Sequence, residues 1–139
     1  MGNQDRISKK EMFTQAVKLH EQAIQGDKQA VKKAYELLKK VQEKAPTDNL
    51  VQAYLGSVTS LLGRDAIDPN EKHKFAMQGL KLLDSAISKN PENIEIRTLR
   101  AYVNFNLPEL FFNRTASAIE DFQYLISSYN QDKAMLTEN

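Results

Sequence analysis

Three acidic residues lie close together near a glycine, and they are the first candidates for chemistry in this sequence. Asp65, Asp68 and Glu71 follow Gly63 within a few positions, and Ca²⁺ prefers carboxylate oxygens as ligands. A calcium loop alternates its ligands more densely, however, and ends on a bidentate glutamate that this segment lacks. Arg64 beside Asp65 is better explained by a loop-stabilising pair or a helix cap. We therefore expect no metal site here.

No other catalytic constellation stands out. The chain has no cysteine, which excludes disulfides, thiolate metal sites and cysteine nucleophiles. Glu120 and Asp121 are neighbours on a predicted helix, so we expect their side chains to diverge and not to act as an acid–base pair. His20 lies on an apolar stripe, where a core histidine with a hydrogen-bond partner is expected rather than a catalytic one. The sequence predicts a protein that is not an enzyme and binds no cofactor.

Charge and hydropathy narrow the class of partner. The 139 residues carry a formal net charge of +1, and an N-terminal excess of lysine lies largely in Lys32-Lys33 and Lys39-Lys40. These pairs fall on the polar side of a predicted helix, and nucleic-acid binding requires a denser basic face. We expect a solvated face and no nucleic-acid partner. No apolar run resembles a signal peptide or a membrane span, so the expected location is the cytoplasm, with no membrane partner.

Apolar residues at helical spacing divide the chain into six predicted helices. Glycine and proline are sparse and cluster between the periodic segments, as expected for helices joined by turns. No strand-length window alternates apolar and polar residues. The predicted helices cover about residues 8–25, 28–43, 49–62, 69–88, 94–106 and 115–129, with loops at 63–70 and 107–114 and a frayed tail at 131–139. This pattern predicts one all-α domain spanning residues 1–139.

The second, fourth and sixth predicted helices share one pattern. A small residue is followed by two apolar residues, four and then three positions later, and by a helix breaker five positions further on. The three copies are Ala34, Leu38, Val41 and Pro46; Gly79, Leu83, Ala86 and Pro91; Ala118, Phe122, Leu125 and Asn130. We expect the small residues Gly56 and Gly79 to let paired helices approach closely.

This pattern resembles the tetratricopeptide repeat, a family built from stacked antiparallel helix pairs. Leu55-Gly56 matches the leucine–glycine pair in the first helix of the family's motif. The residues that match the second-helix part are Ala34, Ala86, Ala118, Phe122, Pro46 and Pro91. The chain departs from the motif because it has no tryptophan. Its inserted loops also lengthen the usual period of about 34 residues.

The resemblance implies a fold and its boundaries. The expected architecture is all-α, a right-handed superhelix of three antiparallel helix pairs. The repeats are expected at about residues 8–46, 47–91 and 92–130. An ordinary six-helix bundle whose turns only look periodic is the alternative architecture.

The resemblance also implies a function. Ligands of tetratricopeptide proteins usually lie in a concave groove lined by the first helix of each pair, so we expect a scaffold that holds a peptide or a helix of another protein. Phase matching places six residues in that groove: Ala53, Ser57, Ser60, Thr98, Tyr102 and Phe105. Arg97 and Arg100 lie off the apolar stripe. They either ring the groove with positive charge or form surface salt bridges with Glu92 or Glu95.

Two further apolar segments could contact a partner. Leu110, Phe111 and Phe112 follow a proline in a predicted loop, and they form either a lid tucked onto the core or an exposed contact. The last predicted helix has little chain after it, although terminal repeats need a polar cap. The alternative function is therefore a self-associating structural protein, a homodimer, that uses the apolar end surface Phe122, Tyr124, Ile126 and Tyr129.

Overall fold

A computed structural model describes residues 8–106 and 115–137 of the chain, with side chains for 8–106 and 118–133. This part of the chain consists of six helices, the first five joined by short turns, and contains no strand, which confirms the all-α prediction. The helices are α1 (Lys9–Ile24), α2 (Lys28–Lys44), α3 (Asn49–Asp65), α4 (Pro69–Lys89), α5 (Ile94–Asn106) and α6 (Thr115–Thr137).

The first five helices begin where a short polar side chain accepts a hydrogen bond from a backbone N–H group of the first turn. Such a side chain satisfies a donor that the helix itself leaves unpaired. The capping residues of α1 to α5 are Ser8, Asp27, Asp48, Asp68 and Asn93. Gly26 follows α1 in the left-handed conformation, with φ of 111°, which glycine adopts without steric cost.

Two helices extend further than predicted. α3 continues through Gly63 to Asp65, so Gly63 does not end the helix. This glycine instead allows α3 to pack closely against α4, since a Cβ atom at position 63 would lie only 2.9 Å from the backbone oxygen of Lys72. The predicted loop 63–70 is therefore mostly helix, and only a short turn around the exposed Ile67 remains. α6 continues to Thr137 because residues 130–137 contain neither glycine nor proline.

The helices pack as consecutive pairs. α1 packs on α2, α3 on α4 and α5 on α6, while α3 also contacts α1, α2 and α5. α4 also contacts α5. The main apolar cluster runs from Ala16 in α1 to Val103 in α5 and includes no residue of α6. The last helix is thus attached to the other five by something other than the main core.

α3 lies at the centre of this arrangement. Every residue from Ala53 to Leu61 is buried, and the segment 49–63 contains no charged residue. A helix without a charged face can be covered on all sides. α3 and α4 approach closely at two glycines, since a Cβ atom on Gly79 would lie 2.5 Å from the backbone oxygen of Gly56. This close approach confirms the prediction made for these small residues.

The third helix pair departs from the repeat pattern. Leu38 and Leu83 are completely buried, whereas Phe122 at the equivalent position of α6 is 41% exposed. Asp121 takes the inward position instead and is completely buried. The third pair departs from the other two because the side of α5 that faces α6 carries Arg97 and Arg100, and their ion-pair partner Asp121 lies opposite them.

Candidate functional site

The groove residues predicted on α3 lie inside the protein. Ala53 and Ser57 are completely buried, and Ser60 is almost so. Ser57 is hydrogen-bonded to His20 of α1, and Ser60 packs beside Gly79 of α4. Because all three side chains are buried, they do not line an open groove.

The residues predicted on α5 are distributed differently. Thr98 and Phe105 are exposed, and Tyr102 is half-buried against the main apolar cluster. Phe105 makes an edge-to-face contact with Phe122 of α6, with ring centroids 6.3 Å apart, so it belongs to the surface formed by the last helix pair. The predicted loop contacts Leu110, Phe111 and Phe112 lie outside the described residues.

A buried polar cluster joins α1, α3 and α5. His20 Nε2 and Ser57 Oγ are 2.7 Å apart and share a hydrogen bond, while the ring of Tyr54 lies edge-on to the imidazole at 5.2 Å. The hydroxyl of Tyr54 donates to the carboxylate of Glu95. His20 is therefore a core histidine with a partner, as predicted, and substrate could not reach the buried Ser57.

Burial changes the titration of this cluster. It lowers the pKa of His20 from 6.5 to about 4, because the positively charged imidazolium loses its hydration inside the protein. Burial also raises the pKa of Tyr54, and the hydrogen bond to the negatively charged Glu95 raises it further. At neutral pH both groups are therefore uncharged. A histidine with so low a pKa is a weak general base.

Two buried arginines of α5 bind a buried aspartate of α6. Arg100 Nε and Nη2 each donate to one oxygen of Asp121 at 2.8 Å, and Arg97 Nη1 donates to Asp121 at 3.0 Å. Arg97 Nη1 also donates to Glu120 at 2.8 Å, and Arg100 Nη1 to Asp84 of α4 at 3.2 Å. These five residues form the Arg–Asp network, which links α4, α5 and α6.

The Arg–Asp network corrects two predictions. Arg97 and Arg100 are only 8% and 6% exposed, so they neither ring a groove nor form surface pairs with Glu92 or Glu95. Glu120 and Asp121 do not diverge, because Nη1 of Arg97 donates a hydrogen bond to each of the two carboxylates. An Arg guanidinium group has several N–H donors and can therefore serve two acceptors.

The electrostatics of the network follow from its geometry. Burial alone would lower the pKa of Arg100, but the hydrogen bonds and charge of Asp121 outweigh this effect and raise it. The hydrogen bond from Arg97 lowers the pKa of Glu120. Arg97 also stacks on the ring of Tyr124 at 4.6 Å, and the Tyr124 hydroxyl donates to the backbone oxygen of Glu92. Tyr124 thus holds α6 in place and is not part of its outer surface.

An open groove of about 530 Å³ runs between α2 and α4 over the middle of α3. We call it the central groove. The α2 wall and the α4 wall each present a lysine, and Leu55 and Thr59 of α3 form the floor. The residues that line it are Tyr35, Lys39, Gln42, Gln52, Leu55, Thr59, Gln78, Lys81, Leu82 and Ser85. None of these belongs to the groove predicted from the sequence.

The central groove is partly preorganised. Lys39 Nζ lies 5.9 Å from the centre of the Tyr35 ring, within reach of a cation–π interaction. Gln52 Nε2 donates to the backbone oxygen of Leu82 at 3.0 Å, which ties the floor to the α4 wall. Sequence reasoning missed this site because phase matching looked at the first helix of each pair, whereas both walls come from second helices.

The outer face of α6 carries an uncovered apolar stripe. Ile119, Phe122, Ile126 and Tyr129 recur at intervals of three and four residues, and each is between 41% and 66% exposed. Phe105 of α5 extends the patch through its contact with Phe122. We call these five residues the α6 stripe. It contains three of the four residues predicted as an oligomer surface.

The acidic trio serves the local structure. Arg64 forms an ion pair with Asp65 at 2.9 Å, and its guanidinium group donates to the backbone oxygens of Ala23 and Ile24 at the end of α1. Asp68 caps α4. The hydrogen bonds of Arg64 to the end of α1 bear out its interpretation as a helix cap.

The described residues offer neither a metal-ligand cluster nor a membrane-spanning helix. No three of their acidic or histidine side chains lie together as metal ligands would. None of their helices combines the length and the apolar character needed to cross a bilayer.

Comparison of the chain with protein-family models, with curated proteins and with solved structures finds no match. The function is therefore inferred from the side chains and their geometry alone.

The low pKa of His20 predicts a loss of stability in acid. Below pH 6.5 the unfolded chain binds a proton at this histidine, whereas the folded protein does not until about pH 4. The contribution of His20 to the free energy of unfolding is fully present above pH 6.5. As the pH falls from 6.5 to about 4, the free energy of unfolding decreases by roughly 3 kcal/mol in total. Urea unfolding at pH 7 and pH 4.5 should show a smaller loss for His20→Gln than for the wild type. A pH dependence of His20→Gln equal to that of the wild type would contradict the prediction.

Removal of the buried carboxylate should destabilise the protein strongly. Asp121→Ala leaves two buried guanidinium groups without their main partner, which costs about 3–5 kcal/mol. The neighbouring Glu120 is 63% exposed on its side chain, so Glu120→Ala should cost less than about 1 kcal/mol. Thermal and urea unfolding measure both. Similar costs for the two variants would show that the network does not hold α6 in place.

Proposed function

We propose that this chain is a non-catalytic protein-interaction scaffold. Its three helix pairs stack in a tetratricopeptide-like right-handed superhelix and hold a peptide or a helix of a partner in the central groove. The observation that carries this proposal is the groove itself: about 530 Å³ of open space between α2 and α4, where Leu55 and Leu82 lie among polar side chains. Its size falls in the range of ligand-binding clefts.

The position of the groove supports the proposal. The floor belongs to α3, the most deeply buried helix, so its shape is held by the core on the opposite side. The walls belong to α2 and α4, whose outer residues remain in contact with solvent. A preformed cleft on rigid helices binds without first ordering a loop, which lowers the entropic cost of association.

The polar clusters support a binding role over a catalytic one. His20 and Ser57 have the spacing of a nucleophile and its base, yet both are buried and His20 is a weak base. The Arg–Asp network satisfies its own charges and lies between helices. Catalysis requires reactive groups that contact substrate, and neither cluster opens into the central groove.

Blocking the central groove should abolish partner binding. The chain has no native cysteine, so Ser85→Cys, in the α4 wall, can be coupled to a bulky maleimide at that position alone. We expect the adduct to reduce the amount of partner captured from the native cell extract by about tenfold or more, because it fills the cleft that the partner occupies. Quantitative mass spectrometry of the captured proteins measures the loss.

The matched control is Ser88→Cys with the same maleimide. Ser88 lies one turn further along α4, is exposed and does not line the groove. If both adducts retain every partner of the unlabelled protein, the central groove is not the docking site.

The α6 stripe supports a second candidate function, self-association. The four stripe residues that belong to α6 follow the three–four spacing of a coiled-coil seam. The segment 122–131 contains no lysine, arginine, aspartate or glutamate. Two copies could bring this face together without like-charge repulsion. Large exposed apolar patches on a monomer usually mark an interaction site.

A charge in the middle of the α6 stripe should prevent this association. Wild-type protein is expected to sediment as a dimer and Ile126→Glu as a folded monomer, because the glutamate would be buried unpaired in the seam. Analytical ultracentrifugation measures the mass. Ser127→Glu adds the same charge at an exposed position about 100° around α6 from Ile126, outside the α6 stripe, and should remain dimeric. A monomeric wild type would remove this candidate function.

A further inference from the structure

The two helices that form the walls of the central groove carry an excess of positive charge, although the protein as a whole is nearly neutral. α2 carries six lysines against two glutamates, and α4 carries four lysines against two acidic residues. One of those acids, Asp84, is an ion-pair partner of Arg100 in the Arg–Asp network. The whole chain has a formal net charge of only +1, so this local excess is balanced elsewhere on the molecule.

Inside the groove the same sign prevails. Lys39 and Lys81 lie on opposite walls, and among the described residues that line the groove there is no carboxylate. Glu36 and Glu43, the two glutamates of α2, flank Lys39 along the helix without lining the groove. An anionic group between the walls would therefore meet a cation on each side.

The remaining lining favours a peptide over a small ion. Leu55 and Leu82 offer apolar contact, while the amides of Gln42, Gln52 and Gln78 can both donate and accept hydrogen bonds, as a peptide backbone requires. Tyr35 is the only aromatic residue among the lining residues described. Single-stranded nucleic acid is usually held by several stacking rings, so the lining favours a peptide over an oligonucleotide.

We infer that the central groove binds an acidic peptide segment, with glutamate or aspartate side chains between Lys39 and Lys81 and apolar side chains on the α3 floor. This inference rests on the proposed scaffold function and adds the chemical class of the partner. Complementary charges on the two walls would accelerate encounter and select against basic segments.

Labelled peptides test this inference on the full chain. The probes are a short peptide of alternating glutamate and leucine, its counterparts with glutamine or lysine in place of glutamate, and a single-stranded oligonucleotide. Fluorescence anisotropy at low salt should show the glutamate peptide binding about tenfold or more tightly than the glutamine peptide, and progressively weaker as salt is added.

Charge reversal tests where the peptide binds. Lys39→Glu with Lys81→Glu should weaken binding of the glutamate peptide by about tenfold or more. The matched control, Lys40→Glu with Lys74→Glu, makes the same change in charge at exposed positions of the same helices outside the groove. It should leave affinity within about twofold of the wild type. Circular dichroism checks that both variants fold.

Four results would overturn the inference, and they differ in what they imply for the scaffold. Equal binding of the glutamate and glutamine peptides, both displaced by the Ser85→Cys adduct, would refute acidic selectivity and leave the groove as a docking site. Tighter binding of the oligonucleotide, or equal losses in the two charge-reversal variants, would also refute it. Binding of no probe would count against the acidic peptide, and against the scaffold as well if the Ser85→Cys adduct also retains every captured partner.

Discussion

The burial of the middle of α3 is the constraint on which the rest of the structure depends. Every residue from Ala53 to Leu61 is buried, and the uncharged segment 49–63 removes apolar surface from water, so the other helices must pack around it. Buried polar groups must also find partners, and three polar side chains of α3 bond to three different neighbouring helices. Ser57 bonds to His20 of α1, Gln52 to α4 and Tyr54 to Glu95 of α5. The same helix thus sets both the packing and the relative positions of its neighbours.

The attachment of α6 follows a different principle. Only Ala118 and Asp121 of its described side chains are buried. Hydrogen-bonded charges therefore hold α6 against α5, whereas apolar packing holds the first five helices together. A buried ion pair contributes less to net stability than its contacts suggest, because its charges lose hydration. It does require one geometry, however. The bidentate contact of Arg100 with Asp121 fixes the rotation of α6, and that rotation turns the α6 stripe outward.

The two candidate interaction surfaces are therefore separate in position and in chemistry. The central groove lies between α2 and α4, where lysines predominate, whereas the α6 stripe is apolar and its segment 122–131 is uncharged. A ligand in the groove would not compete for space with a second copy on α6. The proposed partner binding and the proposed self-association are therefore sterically compatible, and different substitutions test them separately.

The sequence by itself determined the six helices and the close approach at Gly56 and Gly79. Helical spacing and residue size are local properties of the sequence, so they are sufficient to predict these features. Phase matching, by contrast, placed three residues of α3 in an open groove, although an uncharged segment such as 49–63 is typical of a buried helix.

Only the tertiary structure decided which polar residues meet. Arg97 and Arg100 are separated from Asp121 by more than twenty positions. The sequence of α5 alone is consistent both with arginines exposed on the surface and with arginines buried against a carboxylate of another helix. The central groove likewise combines residues of α2, α3 and α4, whose exposure depends on where the neighbouring helices lie. Pairing and exposure are properties of the packed chain, and no local pattern specifies them.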